Sequence, residues 1–233
     1  MRFVSTPRSD NSPLRPHSEK NFQQHRETLE QLARPYPAEW RDWLAWFQGL
    51  PLFLDFGTLR VVHASWSPLS IALVGDRRFT NQEFLVASSS AGTSEHRAVS
   101  TLVNGPEIEL PRADLYRDKD GHSRKEIRVR WFSSEEGKAE LTFRDIVFPS
   151  AGELPNFSLN AQVLDRLSLY GEAEPPVIFG HYWMTLHPPK RVAKNVACVD
   201  YSVAAKAGGF LTAYRCDGEQ VLSNEKFLAV RTV

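Results

Sequence analysis

Pro175-Pro-Val-Ile-Phe-Gly-His-Tyr-Trp183 is the stretch whose reading decides the fold. Val177 to Phe179 is a short apolar run bounded by proline and glycine, the pattern of a strand buried on both faces. Gly180-His181 follows it directly. A second stretch, Leu59-Arg-Val-Val-His-Ala-Ser-Trp66, repeats the arrangement, with Leu59 to Val62 before His63. A buried strand that ends in histidine delivers an imidazole to the C-terminal edge of a sheet, where ligands collect in α/β folds. Two imidazoles on neighbouring strand ends make half of a metal site, since neutral histidine is the commonest metal ligand. The competing reading is that each is a satisfied core or loop histidine, because single-residue motifs carry little weight.

The rest of the chain is organised around these two ends. Residues 1–17 hold Pro7, Pro13 and Pro16 among polar residues and read as a loose loop. Ser18 is the expected N-cap of a helix running to about Ala33. Pro37 suits the first turn of a second helix, and Gly49 its end. Trp40, Trp43, Leu44 and Phe47 fall on one face of that helix and read as a packing stripe. Leu52 to Phe56 and Leu59 to His63 flank Gly57-Thr58 as a β-hairpin. Thr80-x-x-Glu83 reads as a capping box opening a short helix, and a further helix runs from about Ser94 to Gly105. Ile127, Val129 and Trp131 alternate with Arg128 and Arg130, giving a strand with one apolar and one basic face. The runs 176–180, 196–201, 209–216 and 226–231 read as closing strands, with Asp217-Gly218 as a hairpin signal.

Composition sets bounds on function. The 233 residues carry 28 basic and 28 acidic side chains, for zero formal charge. That balance argues against a dedicated nucleic-acid surface, which would show a basic excess. Cys198 and Cys216 both lie in apolar runs, so free thiols and a reducing compartment are expected. The N-terminal region lacks the apolar core of a signal peptide, and no stretch reaches membrane-spanning length. The expected location is cytoplasmic, with no membrane partner.

Two polar constellations remain. Asp118-Lys-Asp-Gly-His122 has the alternating Asp of a calcium loop. Twelve positions from Asp118, however, stands Val129 where a bidentate Glu is needed, so a solvated turn is the better reading. Arg128 and Arg130 form either a solvated strand face or a contact to phosphate, whose oxygens match the planar guanidinium fork.

Taken together, several stretches resemble the C-terminal part of a bacterial calcineurin-like metallophosphoesterase of the phosphoprotein-phosphatase type. They are Leu14 to Asn21, Gln24-His25, Thr28-Leu29, Trp43 to Phe47, Leu50-Pro-Leu52, Arg60-Val-Val-His-Ala64, Asp118 to His122, Arg128-Val-Arg-Trp131, Pro175 to Trp183 and Asn195 to Ser202. Asn195 to Ser202, with Gly209 to Arg215 after it, is also similar to the closing strands of symmetrical diadenosine-tetraphosphate hydrolases. The resemblance implies an αββα sandwich of α/β class, here incomplete. Its phosphoesterase part would take 18–66 and 175–233, and a capping insert would take 67–174. It implies His63 and His181 as ligands of one metal. Arg130, Arg128 and Tyr182 would lie toward the substrate, a phosphoprotein or nucleotide type of phosphate ester. Two divalent ions serve such enzymes, manganese first, with iron, zinc or nickel as alternatives.

The departures from the family pattern are equally specific. Its Gly-Asp-x-x-Asp-Arg-Gly and Gly-Asn-His-Glu motifs are absent, and Gly75-Asp-Arg-Arg78 is only a fragment of the former. The first of the family's three leading motifs, Asp-x-His, has only the literal match Asp120-Gly-His122, which sits in a polar turn, not after an apolar strand, and does not count. The expectation is therefore a chain that starts after the third motif, binds metal weakly, has little activity alone, and self-associates through an exposed sheet edge. A non-catalytic remnant, or a partner subunit binding nucleotide or protein, is the alternative.

Overall fold

The computed structural model describes residues 12–110, 123, 125–132, 141–148, 156–159, 169–185, 187–203 and 208–231. The Asp118–His122 turn and residues 1–11 of the N-terminal loop lie outside them. The described residues form a mixed α/β structure with three open sheets. The chain divides into two compact units: residues 1–52 with 69–99, and 53–68 with 100–233.

The second unit holds all three sheets. In the first sheet, β1 (Phe53–Asp55) pairs antiparallel with β2 (Arg60–Val62). The turn is the one that Gly57-Thr58 predicts. Phe56 N–H donates to the Leu59 carbonyl at 2.9 Å, and Gly57 takes a φ of 77°, which costs glycine nothing. β2 runs parallel to β6 (Val177–Phe179), and β6 parallel to β7 (Val196–Cys198), giving the order β1-β2-β6-β7. Val177, Phe179, Val196, Ala197 and Cys198 are all buried. That matches the apolar runs expected of parallel strands.

Beside this sheet stands a block of aromatic rings. Trp131, which is 1% exposed, packs at ring-centroid distances of 5.0 Å on Phe179, 5.7 Å on Tyr170 and 5.9 Å on Phe132. Its indole N–H donates to the Ala64 carbonyl at 2.9 Å. One aromatic residue thus ties the end of β2 to β6.

In the second sheet, β4 (Glu126–Val129) lies between β3 (Glu107–Glu109) and β5 (Val147–Phe148), antiparallel to both. The predicted alternation is present: Ile127, Val129 and Trp131 are buried, while Arg128 and Arg130 are half-buried. The third sheet has the order β10-β9-β8 (Phe227–Arg231, Phe210–Tyr214, Asp200–Tyr201), all antiparallel. Here Asp217-Gly218 does not form a two-residue hairpin turn. The strands stop at Tyr214 and resume at Phe227. The longer loop between them is held by Lys226, which bridges Asp217 at 3.1 Å and Glu219 at 2.8 Å.

The first unit is helical. Ser18 caps α1 (Glu19–Gln23) by accepting from Asn21 N–H, but the helix does not run unbroken to Ala33. The His25 ring nitrogen Nδ1 lies 2.8 Å from the Asn21 carbonyl. The backbone N–H of His25, which a continuing helix would send to that carbonyl, goes to Phe22 instead at 3.0 Å. This is local competition between a side chain and the helical ladder. The chain resumes as α2 (Arg26–Thr28) and a π-helical turn, Leu29–Ala33.

α3 (Pro37–Gly49) begins with proline, as predicted, but its aromatic face is not buried. Trp43 is 45% and Phe47 41% exposed. Trp43, Trp46 and Phe47 pack on one another instead, Trp43 and Trp46 edge to face at 5.7 Å. Residues three and four apart meet on a helix surface whether or not a partner covers them.

α4 (Pro68–Val74), α5 (Gln82–Ser89) and α6 (Ser94–Asn104) follow. The cap of α5 is Asn81, not Thr80: its Oδ1 accepts from Phe84 N–H at 2.9 Å. Asn81→Ala should therefore lower the melting free energy by about 1 kcal/mol. Thr80→Ala, at an exposed position, should change it by less than about 0.5 kcal/mol. Equal losses from the two variants in thermal melts would return the cap to Thr80. Among the described residues no helix is long and apolar enough to cross a membrane.

Candidate functional site

Parallel register brings the two histidines together. Arg60 stands opposite Val177 and Val61 opposite Ile178. One strand end therefore faces the other, and Gly180 N–H donates to the His63 carbonyl at 2.9 Å. A Cβ at Gly180 would meet that carbonyl at 3.5 Å and Asp200 Cβ at 3.6 Å, ordinary van der Waals contacts, so the approach rests on the backbone hydrogen bond and not on the missing side chain. The imidazoles of His63 and His181 lie 5.1 Å apart between ring centroids, tilted by 44°.

β7 adds a third end to the same edge. Phe179 is opposite Cys198, so Asp200 falls two steps on, level with His181. Its charge acts on both imidazoles. Asp200 was not singled out from the sequence. The signal was present: Val196-Ala-Cys198 is another apolar run that ends just before a polar residue. The Asp200 carbonyl accepts from Met184 N–H at 2.9 Å, and its carboxylate from Ser202 N–H at 3.0 Å. The two segments are thus laced together beyond the sheet.

The loop after β6 is strained: His181 and Trp183 have positive φ, at 66° and 45°, and Ser202, just after β8, has a φ of 57°. Such conformations in non-glycine residues concentrate at functional sites. Tyr182 anchors the loop: it is 1% exposed, and its hydroxyl donates to the Val129 carbonyl at 2.8 Å. That corrects its expected place toward the substrate. Burial raises its pKa strongly, and the phenol stays a neutral, committed donor. With Tyr182 turned inward, Trp183 turns outward, 51% exposed.

Arg128 reaches this loop from β4. Its guanidinium nitrogens lie 3.4 Å from the His181 carbonyl and 3.4 Å from His181 Nε2, and the group rests 5.0 Å over the Tyr182 ring. Its Nε is buried with no hydrogen-bond partner. A guanidinium only donates, so Nε2 of His181 acts as the acceptor and Nδ1 carries the proton. Arg130 lies on the same strand face as Arg128. Its charge acts on Asp145, holding that carboxylate below its usual range together with Thr142, whose hydrogen bonds are the larger cause.

The electrostatics of the pair follow from this packing. Burial lowers the pKa of His181 to about 4, with Arg128 and His63 adding to the effect and Asp200 opposing it. His63, open to solvent on one side and packed on the other, is lowered in the same direction, mainly by burial. Both rings are therefore neutral near pH 7, which is the form that ligates metals. Cys198, buried behind them, has its thiol pushed up to about 12 by burial. Both cysteines are free thiols.

The ring separation fits a shared ion. A metal–nitrogen bond of about 2.1 Å puts each ring centroid about 3.2 Å from the metal, and a tetrahedral angle then sets the two centroids about 5.2 Å apart. The donor set is incomplete, however. Among the described residues no group of three or more His, Cys, Asp or Glu side chains is close enough to hold an ion, and Arg128 occupies Nε2 of His181. No protein-family model matches this chain, and neither a curated protein nor a solved structure is similar to it.

Proposed function

We propose that the edge formed by His63, His181, Asp200 and Arg128 is one side of a metal-dependent phosphoesterase site, in an α/β sandwich of metallophosphoesterase type. The observation that carries this reading is the 5.1 Å approach of two imidazoles at the ends of adjacent parallel strands. His63, and His181 once Arg128 releases its Nε2, would supply two nitrogen ligands to one divalent ion, manganese or a related first-row metal. When bound, such an ion draws charge from a phosphoryl oxygen and lowers the pKa of a bound water. The chain's own residues orient the substrate. Arg128, with Arg130 beside it, presents guanidinium donors to phosphate oxygens. Tyr182 and Gly180 hold the histidine loop in place. Two nitrogens fall short of the four or more ligands a tight site needs. Weak metal binding and slow hydrolysis of p-nitrophenyl phosphate are therefore expected of this chain.

A second reading rests on Arg128. Its charge abuts a neutral ring and has no carboxylate partner in the described structure. That arrangement suits an anion bound without a metal, in a non-catalytic module that takes nucleotide or protein.

Calorimetry separates the two readings. On the first, Mn²⁺ binds and His181→Ala weakens it by at least about tenfold, comparable to losses from disturbed metal ligation. On the second, inorganic phosphate binds equally with and without Mn²⁺, and Arg128→Gln abolishes it. If Mn²⁺ binding is untouched by His181→Ala, the metal reading fails.

A further inference from the structure

We propose that β10 is a dimerisation edge, through which two copies of this chain pair antiparallel about a two-fold axis at Ala229. The strand lies at the end of its sheet, in the order β10-β9-β8. It is exposed along almost its whole length: Leu228 is 65% and Val230 67% exposed, and Ala229 and Arg231 are also open. The facing Leu211 on β9 is 64% exposed. Natural sheets protect such edges with lysine, proline or a bulge. Phe227-Leu-Ala-Val230 has none of these, and its ladder with β9 is regular over all five pairs.

The hydrogen-bond alternation sets the register of the second copy. Arg215 N–H donates to the Lys226 carbonyl at 3.0 Å. In an antiparallel ladder, bonded and non-bonded pairs alternate. Leu228 and Val230 therefore turn their backbone groups toward β9, while Phe227, Ala229 and Arg231 turn theirs outward. The Phe227 N–H is already bonded to the Asn224 carbonyl, and a two-fold axis at Ala229 uses the outward groups that remain. Ala229 pairs with its own copy, and the Phe227 carbonyl accepts from Arg231 N–H of the other copy, twice, which leaves the Arg231 carbonyl to solvent.

Charge selects the same arrangement. Arg231 is the only charged residue of the strand, and antiparallel pairing sets it against a phenylalanine ring, a favourable contact for a guanidinium. Parallel pairing would set the two Arg231 side chains against each other. Lys226, just outside the strand, is neutralised by Asp217 and Glu219. On the outer face, Leu228 meets Val230 of the copy, so the exposed apolar stripe runs across the axis. The occupant of this edge is a second copy of the chain.

Sedimentation velocity on the full chain tests this. The wild type should pass from monomer to dimer as concentration rises. Ala229→Pro removes only an outward N–H, a position where an edge strand accepts proline. It should leave the circular dichroism and melting temperature of the monomer unchanged while weakening dimerisation at least about tenfold. Ala229→Cys in a Cys216→Ser background keeps the test decisive if the proline variant does not fold. A hydrogen-bonded antiparallel pair sets Cα atoms about 5.5 Å apart, within disulfide reach, so mild oxidation should give a covalent dimer. Leu211→Cys, one strand inward, should not. A wild type that stays monomeric at every concentration overturns the proposal. So does a dimer that survives Ala229→Pro, or one that cross-links equally well through Leu211→Cys.

Discussion

Trp131→Ala is expected to destabilise the chain by about 3–5 kcal/mol, the range for deleting a fully buried large aromatic side chain. The ring is 1% exposed and touches Phe132, Tyr170 and Phe179. Its loss leaves a cavity beside the parallel sheet. It also strands the Ala64 carbonyl, which accepts the indole N–H at 2.9 Å and would add about 1 kcal/mol if left buried without a donor. Trp131→Phe keeps most of the packing and should cost about half as much or less. Ala64 follows His63 directly, and Phe179 is two residues before His181. The alanine variant should therefore loosen both imidazoles as well as the core. Urea denaturation of the two variants gives the stabilities. A loss below about 1 kcal/mol for alanine would mean that the aromatic block is not the keystone of this sheet.

The sheet edge was legible because its signals are local. Val177 to Phe179, between proline and glycine, and Leu59 to Val62, after Gly57-Thr58, are short apolar runs that mark strands, and each leads into a histidine. Gly57-Thr58 marks a turn for the same reason, since glycine reaches the φ of 77° that the turn takes. What sequence could not supply was register. Asp200 reaches the site only because β7 pairs with β6 at Phe179↔Cys198. A slip of one residue would have turned it to the other face.

The misreadings have equally specific causes. Periodicity shows which residues of α3 share a face, but not whether anything covers that face. Trp43 and Phe47 stay open for that reason. The resemblance sets Tyr182 toward the substrate, but the left-handed backbone at His181 and Trp183 turns the chain sharply on either side of it. That turn carries the Tyr182 ring into the core, where its hydroxyl meets the Val129 carbonyl. The Arg-x-Arg alternation on β4 was readable. That Arg128 would lie against His181, from a strand in another sheet, was not, because that contact spans two elements with no shared sequence signal.

Acidification of the metal-free chain should remove stability in a window set by the histidines. His181 stays neutral in the folded state down to a pKa of about 4, chiefly because it is buried and because Arg128 repels a second positive charge. In the unfolded chain the same ring takes a proton near pH 6.5. Above that pH both states hold a neutral ring, and stability does not depend on it. Between pH 6.5 and about 4 the unfolded state binds the extra proton, so stability falls as pH falls, by up to about 1.4 kcal/mol per pH unit for this one group. His63 adds a smaller loss in the same direction. Below pH 4 the loss from His181 levels off, because both states are then protonated. The carboxylates held below their usual range, such as Glu219 at about 2 beside Lys226, contribute their own loss only at lower pH. The upper part of the window, from about pH 6.5 to 5, therefore belongs to the histidines. Denaturant melts across it should show a steady decline in the wild type and a flatter profile in His181→Gln, which cannot titrate. If the two profiles run parallel, His181 does not carry the acid sensitivity, and its ring takes a proton in the folded chain as easily as in the unfolded one.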